Sequence, residues 1–217
     1  MKIRTSFVSN SSSSSFIIFF DNEEKEKLNR RHLSKKFNIN PNKKYYNRWQ
    51  GFICSGEQIL SELFNDIDSF ILKNKEEAID TLREEIVSTL WNFDNSYNDE
   101  FREQDFQESI LNIVKLFKKY VVDKDKFMAE VQKFKDIRTA YNLAEQRNQS
   151  TYISKTTLRY DFMQKQLELF ADKIIEMIDF DKYFYVVLTY SDDYPVGSQL
   201  EGGKHLIKSN TLRISHH

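Results

Sequence analysis

Apolar residues gather in short runs at the two ends of the chain and recur at helical spacing through its middle. Residues 2–8 (KIRTSFV) and 16–20 (FIIFF) are rich in β-branched and aromatic residues, and both are expected to be strands. From Asp21 to about Gln50 the pattern is poorly periodic, with room for a short helix over Glu23–Arg31 and then a basic, Asn-rich loop. Ser55-Gly-Glu-Gln58 reads as a capping box. Ile59, Leu60, Leu63, Phe64, Ile67, Phe70 and Ile71 follow it at helical spacing. Asn74 can cap a second long helix with Ile79, Leu82, Ile86 and Leu90 on one face. A third carries Phe106, Ile110, Val114 and Phe117 and ends near Tyr120. Asp123 caps a fourth with Phe127, Val131, Phe134, Ile137 and Tyr141, and Asn148-Gln-Ser-Thr interrupts it. Ser154 or Thr156 starts a fifth, with Phe162, Met163, Leu167, Phe170, Ile174 and Ile178 expected to face inward. Stripes of this kind are core-forming faces.

The end of the chain changes character. Tyr183 to Tyr190 (YFYVVLTY) is the best strand pattern in the sequence, and Thr211 to Ser215 (TLRIS) reads as a last short one. Between them SDDYPVGSQLEGG is turn-rich. Strands at both termini around about five helices predict an α+β fold. Its sheet would be small and mainly antiparallel, built from residues 1–20 and 183–217 of one domain, with residues 55–180 as a helical insertion packed on one face.

Composition supports this. With 5 Gly and 2 Pro in 217 residues, a loop-rich all-β chain is disfavoured, and 14% aromatic residues can fill a core. The single cysteine, Cys54, rules out an internal disulfide and suits a reducing compartment. No window approaches the roughly 18–20 apolar residues of a membrane span, so a cytoplasmic location without membrane attachment is expected.

Charge is uneven. Between Lys25 and Gln50 nine Lys and Arg stand against one acid, Glu26, so this segment is +8 and the rest of a chain of net charge −1 is −9. Arg30, Arg31, Lys35, Lys36, Lys43, Lys44 and Arg48 are the candidate contacts for an anionic partner. Tyr45, Tyr46 and Trp49 lie among these cations, a mixture that suits single-stranded nucleic acid. That partner has the weaker case, because no RNP, KH, zinc-finger or helix-turn-helix signature accompanies it. A solvated loop or an acidic protein partner explains the stretch with fewer assumptions. There is no Walker A, no G-x-G-x-x-G and no C-x-x-C pair, which leaves kinase, P-loop and Rossmann readings without support. Cys54, just before a helix start, is read as a packed structural thiol.

The richest chemistry lies at the ends. Ser9, Asn10, Ser11, Ser12, Ser13, Ser14 and Ser15 form a hydroxyl-rich loop between two apolar runs, and such a loop can donate side-chain and backbone hydrogen bonds to phosphate. A flexible serine linker is the competing reading.

The opening segment Phe7 to Phe16, FVSNSSSSSF, resembles the start of a recurrent group of uncharacterised bacteriophage and bacterial proteins. Members of that group tend to carry a Y-S-D turn late in the chain and to end in I-S-H-H, matched here by Tyr190-Ser191-Asp192 and Ile214-Ser215-His216-His217. The resemblance covers roughly 30 residues, all at the ends. It implies a phage context and a place to look, with no reaction attached.

If both ends join one sheet, the serines, Asp192, Asp193, His216 and His217 could share a pocket. His216, His217 and Asp192 are the candidate acid–base residues. Asp192, Asp193 and His205 are candidate ligands for a divalent metal, the cofactor such a set suits. The expected function is a phage-type accessory protein that binds a phosphate-bearing molecule or nucleotide, with metal-assisted hydrolysis or transfer as the chemistry. The alternative is a non-enzymatic inhibitor of a host protein, acting through the helices and the basic loop, with structural termini.

Overall fold

The computed structural model describes residues 13–46, 53–91, 99–147, 154–191, 196 and 211–216. Strand β1 (Ser13–Asp21) leads through a 3-10 turn (Asn22–Lys27) into helix α1 (Arg30–Lys36). A short pair, β2 (Lys44–Tyr46) and β3 (Ile53–Ser55), precedes five long helices: α2 (Gly56–Ile71), α3 (Lys75–Trp91), α4 (Asp99–Phe117), α5 (Lys124–Arg147) and α6 (Ser154–Met177). Strands β4 (Tyr183–Ser191) and β5 (Thr211–His216) follow. The main sheet is antiparallel in the order β4-β1-β5, so the two chain ends build it and the helices form an insertion between them. The fold is α+β, as the pattern of the sequence indicates.

Three expectations need correction. The helix expected over Glu23–Arg31 is a 3-10 turn that ends at Lys27, followed by a separate seven-residue helix from Arg30, because Asn29 caps a new start by accepting the His32 N–H. The basic loop is likewise not all loop: Lys44, Tyr45 and Tyr46 pair with Ser55, Cys54 and Ile53.

The third correction is that helices cover the sheet on both faces rather than one. Every residue from Ser14 to Phe20 is buried, which a strand achieves only with cover on both sides. On the side of Ser15, Ile17 and Phe19, Glu85 of α3 reaches Ser15, and Phe117 of α4 meets Phe19 edge-on at 5.7 Å. On the other side Lys36 of α1 sits over the Phe20 ring at 4.2 Å. Helix α2 meets β4 through Asp66, which accepts from the Tyr190 hydroxyl, and through Phe70, which packs against Tyr185.

The helix caps read from the sequence are in place. Ser55 and Gln58 form the capping box of α2, the Asn74 side chain accepts from Glu77, and Asp123 accepts from Asp125 and Lys126. The first amides of α2 are satisfied by the turn before β2: Gly56 donates to the Lys43 carbonyl and Glu57 to that of Pro41. This docking is so close that a Cβ on Gly56 would stand 2.0 Å from the Asn40 carbonyl oxygen. Of the residues expected to face inward, Phe162 is an exception. It is 42% exposed and stacks on Tyr141 instead. No described helix is long and apolar enough to cross a membrane.

Candidate functional site

The register of the main sheet locates one end of it. Ser13, the first residue of β1, is the backbone partner of Ser191 at the end of β4 and of His216 at the end of β5. Ser14 is opposite Tyr190 and Ser215, and Ser15 is opposite Thr189 and Ile214. Directly opposed residues of an antiparallel ladder have Cα atoms about 4.5–5.5 Å apart. The backbones of Ser13 and His216, read from the sequence as parts of one site, are therefore neighbours.

The other candidates divide by location. Ser9, Asn10, Ser11, Ser12, Asp192, Asp193, His205, His217 and Arg48 lie outside the described residues. Ser14 and Ser15 belong to β1 rather than to a loop, so the strand begins three residues earlier than the FIIFF run suggested. Both are fully buried. The Ser15 hydroxyl donates to Glu85 Oε1 at 2.7 Å and lies 2.8 Å from Thr189 Oγ1. This hydroxyl serves the interior, and its neighbour Glu85 was not among the residues the sequence singled out. A helical wheel would have found it: Glu85 stands three residues after Leu82 and four before Thr89, both buried, and so on the inner flank of α3.

A second polar contact lies one residue further along. The Tyr190 hydroxyl donates to Asp66 at 2.7 Å, and burial with that carboxylate beside it holds the phenol far above its ordinary range. Glu62, one turn before Asp66 on α2, is pushed up by burial and by the Asp66 charge. Burial and Glu62 in turn push up the Cys54 thiol, so its place beside a helix start does not activate it. Among the described residues no group of three or more His, Cys, Asp or Glu could hold a metal ion.

The basic stretch is partly neutralised. Arg30 pairs with Glu57, and Lys36 and His32 both reach Glu24. Burial raises the Glu24 carboxyl, but Lys36, the Asp21 N–H and His32 together outweigh it and hold the group below the usual carboxylate range. Lys36 lies over Phe20, seven residues along β1 from Ser13, which at the rise of an antiparallel strand is about 23 Å. Lys36 is thus remote from the serine end. Arg31 and Lys35 are exposed on α1, as are Lys43 and Lys44 before and in β2.

Compared with protein-family models, curated proteins and solved structures, the chain matches none.

Proposed function

We propose that the protein binds a phosphate-bearing small molecule or nucleotide at the sheet end where β1 begins and β4 and β5 finish. One observation carries the reading: Ser13 is in register with both Ser191 and His216. The segments bearing the remaining candidates, Ser9–Ser12, Asp192 with Asp193, and His217, are covalently continuous with those three backbones. Serine hydroxyls and loop amides would donate to phosphate oxygens. An imidazole at His216 or His217 would act as general base, and Asp192 and Asp193 would hold a divalent metal or orient the base. Metal-assisted hydrolysis or phosphoryl transfer is the chemistry this set suits, and the resemblance of the chain ends to phage proteins fits an accessory role in an infected cell.

The test is a thermal-shift titration with magnesium or manganese, inorganic phosphate and nucleotides. A ligand at 100 times its dissociation constant adds about 2.7 kcal/mol, about 5–10 °C for a chain of this length. The shift is expected in the wild type and should vanish in a Ser11→Ala, Ser12→Ala, Ser13→Ala variant and on deleting His216 and His217. An unchanged shift in both would refute the site.

A second reading, host-protein inhibition through the helical region, draws on two apolar side chains left in solvent: Leu72 after α2 and Val122 between α4 and α5 are 78% and 73% exposed. Capture of a host protein by the wild type and not by Leu72→Glu, Val122→Glu, with no ligand shift in either, would favour it.

A further inference from the structure

We infer that Glu85 is a positioning residue for the sheet-end site, acting through Ser15; the inference rests on the phosphate-site reading above. The Ser15 hydroxyl has one proton, and it is directed at Glu85 Oε1. With that proton committed to a carboxylate, Ser15 accepts from Thr189, so the hydrogen bonds run in one sense from Thr189 through Ser15 to Glu85. Three elements, β4, β1 and α3, are tied at one buried point. Thr89 adds a bond from its hydroxyl to the Glu85 carbonyl on the next turn of α3.

The position of this clamp gives it a role beyond packing. Ser11 to Ser15 are interchangeable as hydrogen-bonding groups, so within the run nothing marks which serine should stand beside His216. A shift of two residues would keep every side chain on its face and still bring a serine there. A half-buried carboxylate at a set depth, with Phe16 immediately behind, distinguishes Ser15 from Ser13. Ser15 is two residues inside Ser13, about 7 Å along the strand, so Glu85 sets the register of the site without being close enough to bond a ligand at its outer edge. Its bond to Ser15 is charge-assisted, roughly twice as strong as one between neutral groups.

The experiment is a titration of inorganic phosphate with magnesium into four folded proteins: wild type, Glu85→Gln, Ser15→Ala and the double variant. Hydrogen exchange of the β1 amides is followed in parallel. Glu85→Gln keeps an acceptor oxygen and the shape of the side chain, so the ligand-free protein should melt near the wild type. Its dissociation constant for the probe should nevertheless rise about tenfold. Ser15→Ala should produce a similar rise, and the double variant no more than either single one, since all three break the same clamp. Exchange at Ser14 to Phe16 should quicken in each. Equal affinity in the wild type and Glu85→Gln would overturn the inference, as would tighter binding in Glu85→Gln, which would make Glu85 only a repelling charge. If the wild type itself binds no probe, the phosphate-site reading fails and takes the role of Glu85 in binding with it. Weakened binding confined to the variants leaves the site intact and assigns Glu85.

Discussion

The two ends of β1 are held in opposite ways. At its far end Phe19 stacks on Tyr120 at 4.1 Å and meets Phe117 and Tyr185, while Phe20 stacks on Phe184 at 5.1 Å under the Lys36 ammonium. At its near end the interior is made of hydroxyls and carboxylates: Ser15 on Glu85 and Thr189, and Tyr190 on Asp66. Aromatic contacts are tolerant of small shifts and contribute mainly by area removed from water. Buried hydrogen bonds contribute less net stability but demand particular partners at particular distances. One strand thus combines an end built for adhesion with an end built for placement, and the placed end is where the candidate site begins.

The contrast can be broken by substitution. Phe19→Ala should cost about 4 kcal/mol, as large-to-small changes at fully buried aromatics do, read as a fall in the urea midpoint. Ser14→Ala in the same experiment should cost less than about 1.5 kcal/mol; equal losses at the two positions would end the distinction drawn here. Tyr190→Phe should cost about 1–2 kcal/mol by leaving the Asp66 carboxylate without its buried donor. Glu24→Gln, at the aromatic end, should cost about 1 kcal/mol at neutral pH through the partly buried pair with Lys36. Because the folded-state pKa of Glu24 is lowered, its contribution is complete above the ordinary carboxylate value and is lost as pH falls through the lowered one. The wild-type and Glu24→Gln urea midpoints should accordingly converge in acid. Divergence in acid would reverse the assigned sign. The smallest effect belongs to the near end: deleting His216 and His217 should change stability by no more than about 0.5 kcal/mol while abolishing any phosphate response. A collapse of the fold would make the two histidines structural.

What was legible in the sequence follows the same division. Tyr183 to Tyr190 announces a strand because nearly every residue is β-branched or aromatic, and the apolar stripes of the five long helices announce themselves by period. Ser13 to Ser15 do not, because serine has no strong preference for a strand and a uniform run has no period to read. Their place in β1 follows from tertiary partners, Glu85 and Thr189, that lie 70 and 174 residues away in sequence. The start of α1 is hard to read because Asn29, its cap, lies in a charged stretch without a helical apolar period. The three-residue strands β2 and β3 are too short to show alternation. The convergence of the chain ends was legible in outline, from strands at both termini; the match of Ser13 to His216 required the register.

A sheet assembled from both chain ends also has a history in time. The apolar residues of β1 leave the ribosome before their partners in β4, which are encoded about 165–170 residues later, a delay of about 10–30 s at roughly 5–20 residues per second. Throughout that interval Phe16-Ile-Ile-Phe-Phe20 lacks both of its described neighbours, β4 and β5, and a five-residue apolar run with high strand propensity is a template for other chains. The five serines and Asn10 that precede it, and Asp21-Asn-Glu-Glu24 that follow, bracket the run with polar groups of the kind that discourage such pairing. The serine run would therefore act before the fold exists as well as after it, as a guard on a nascent chain waiting for its other end.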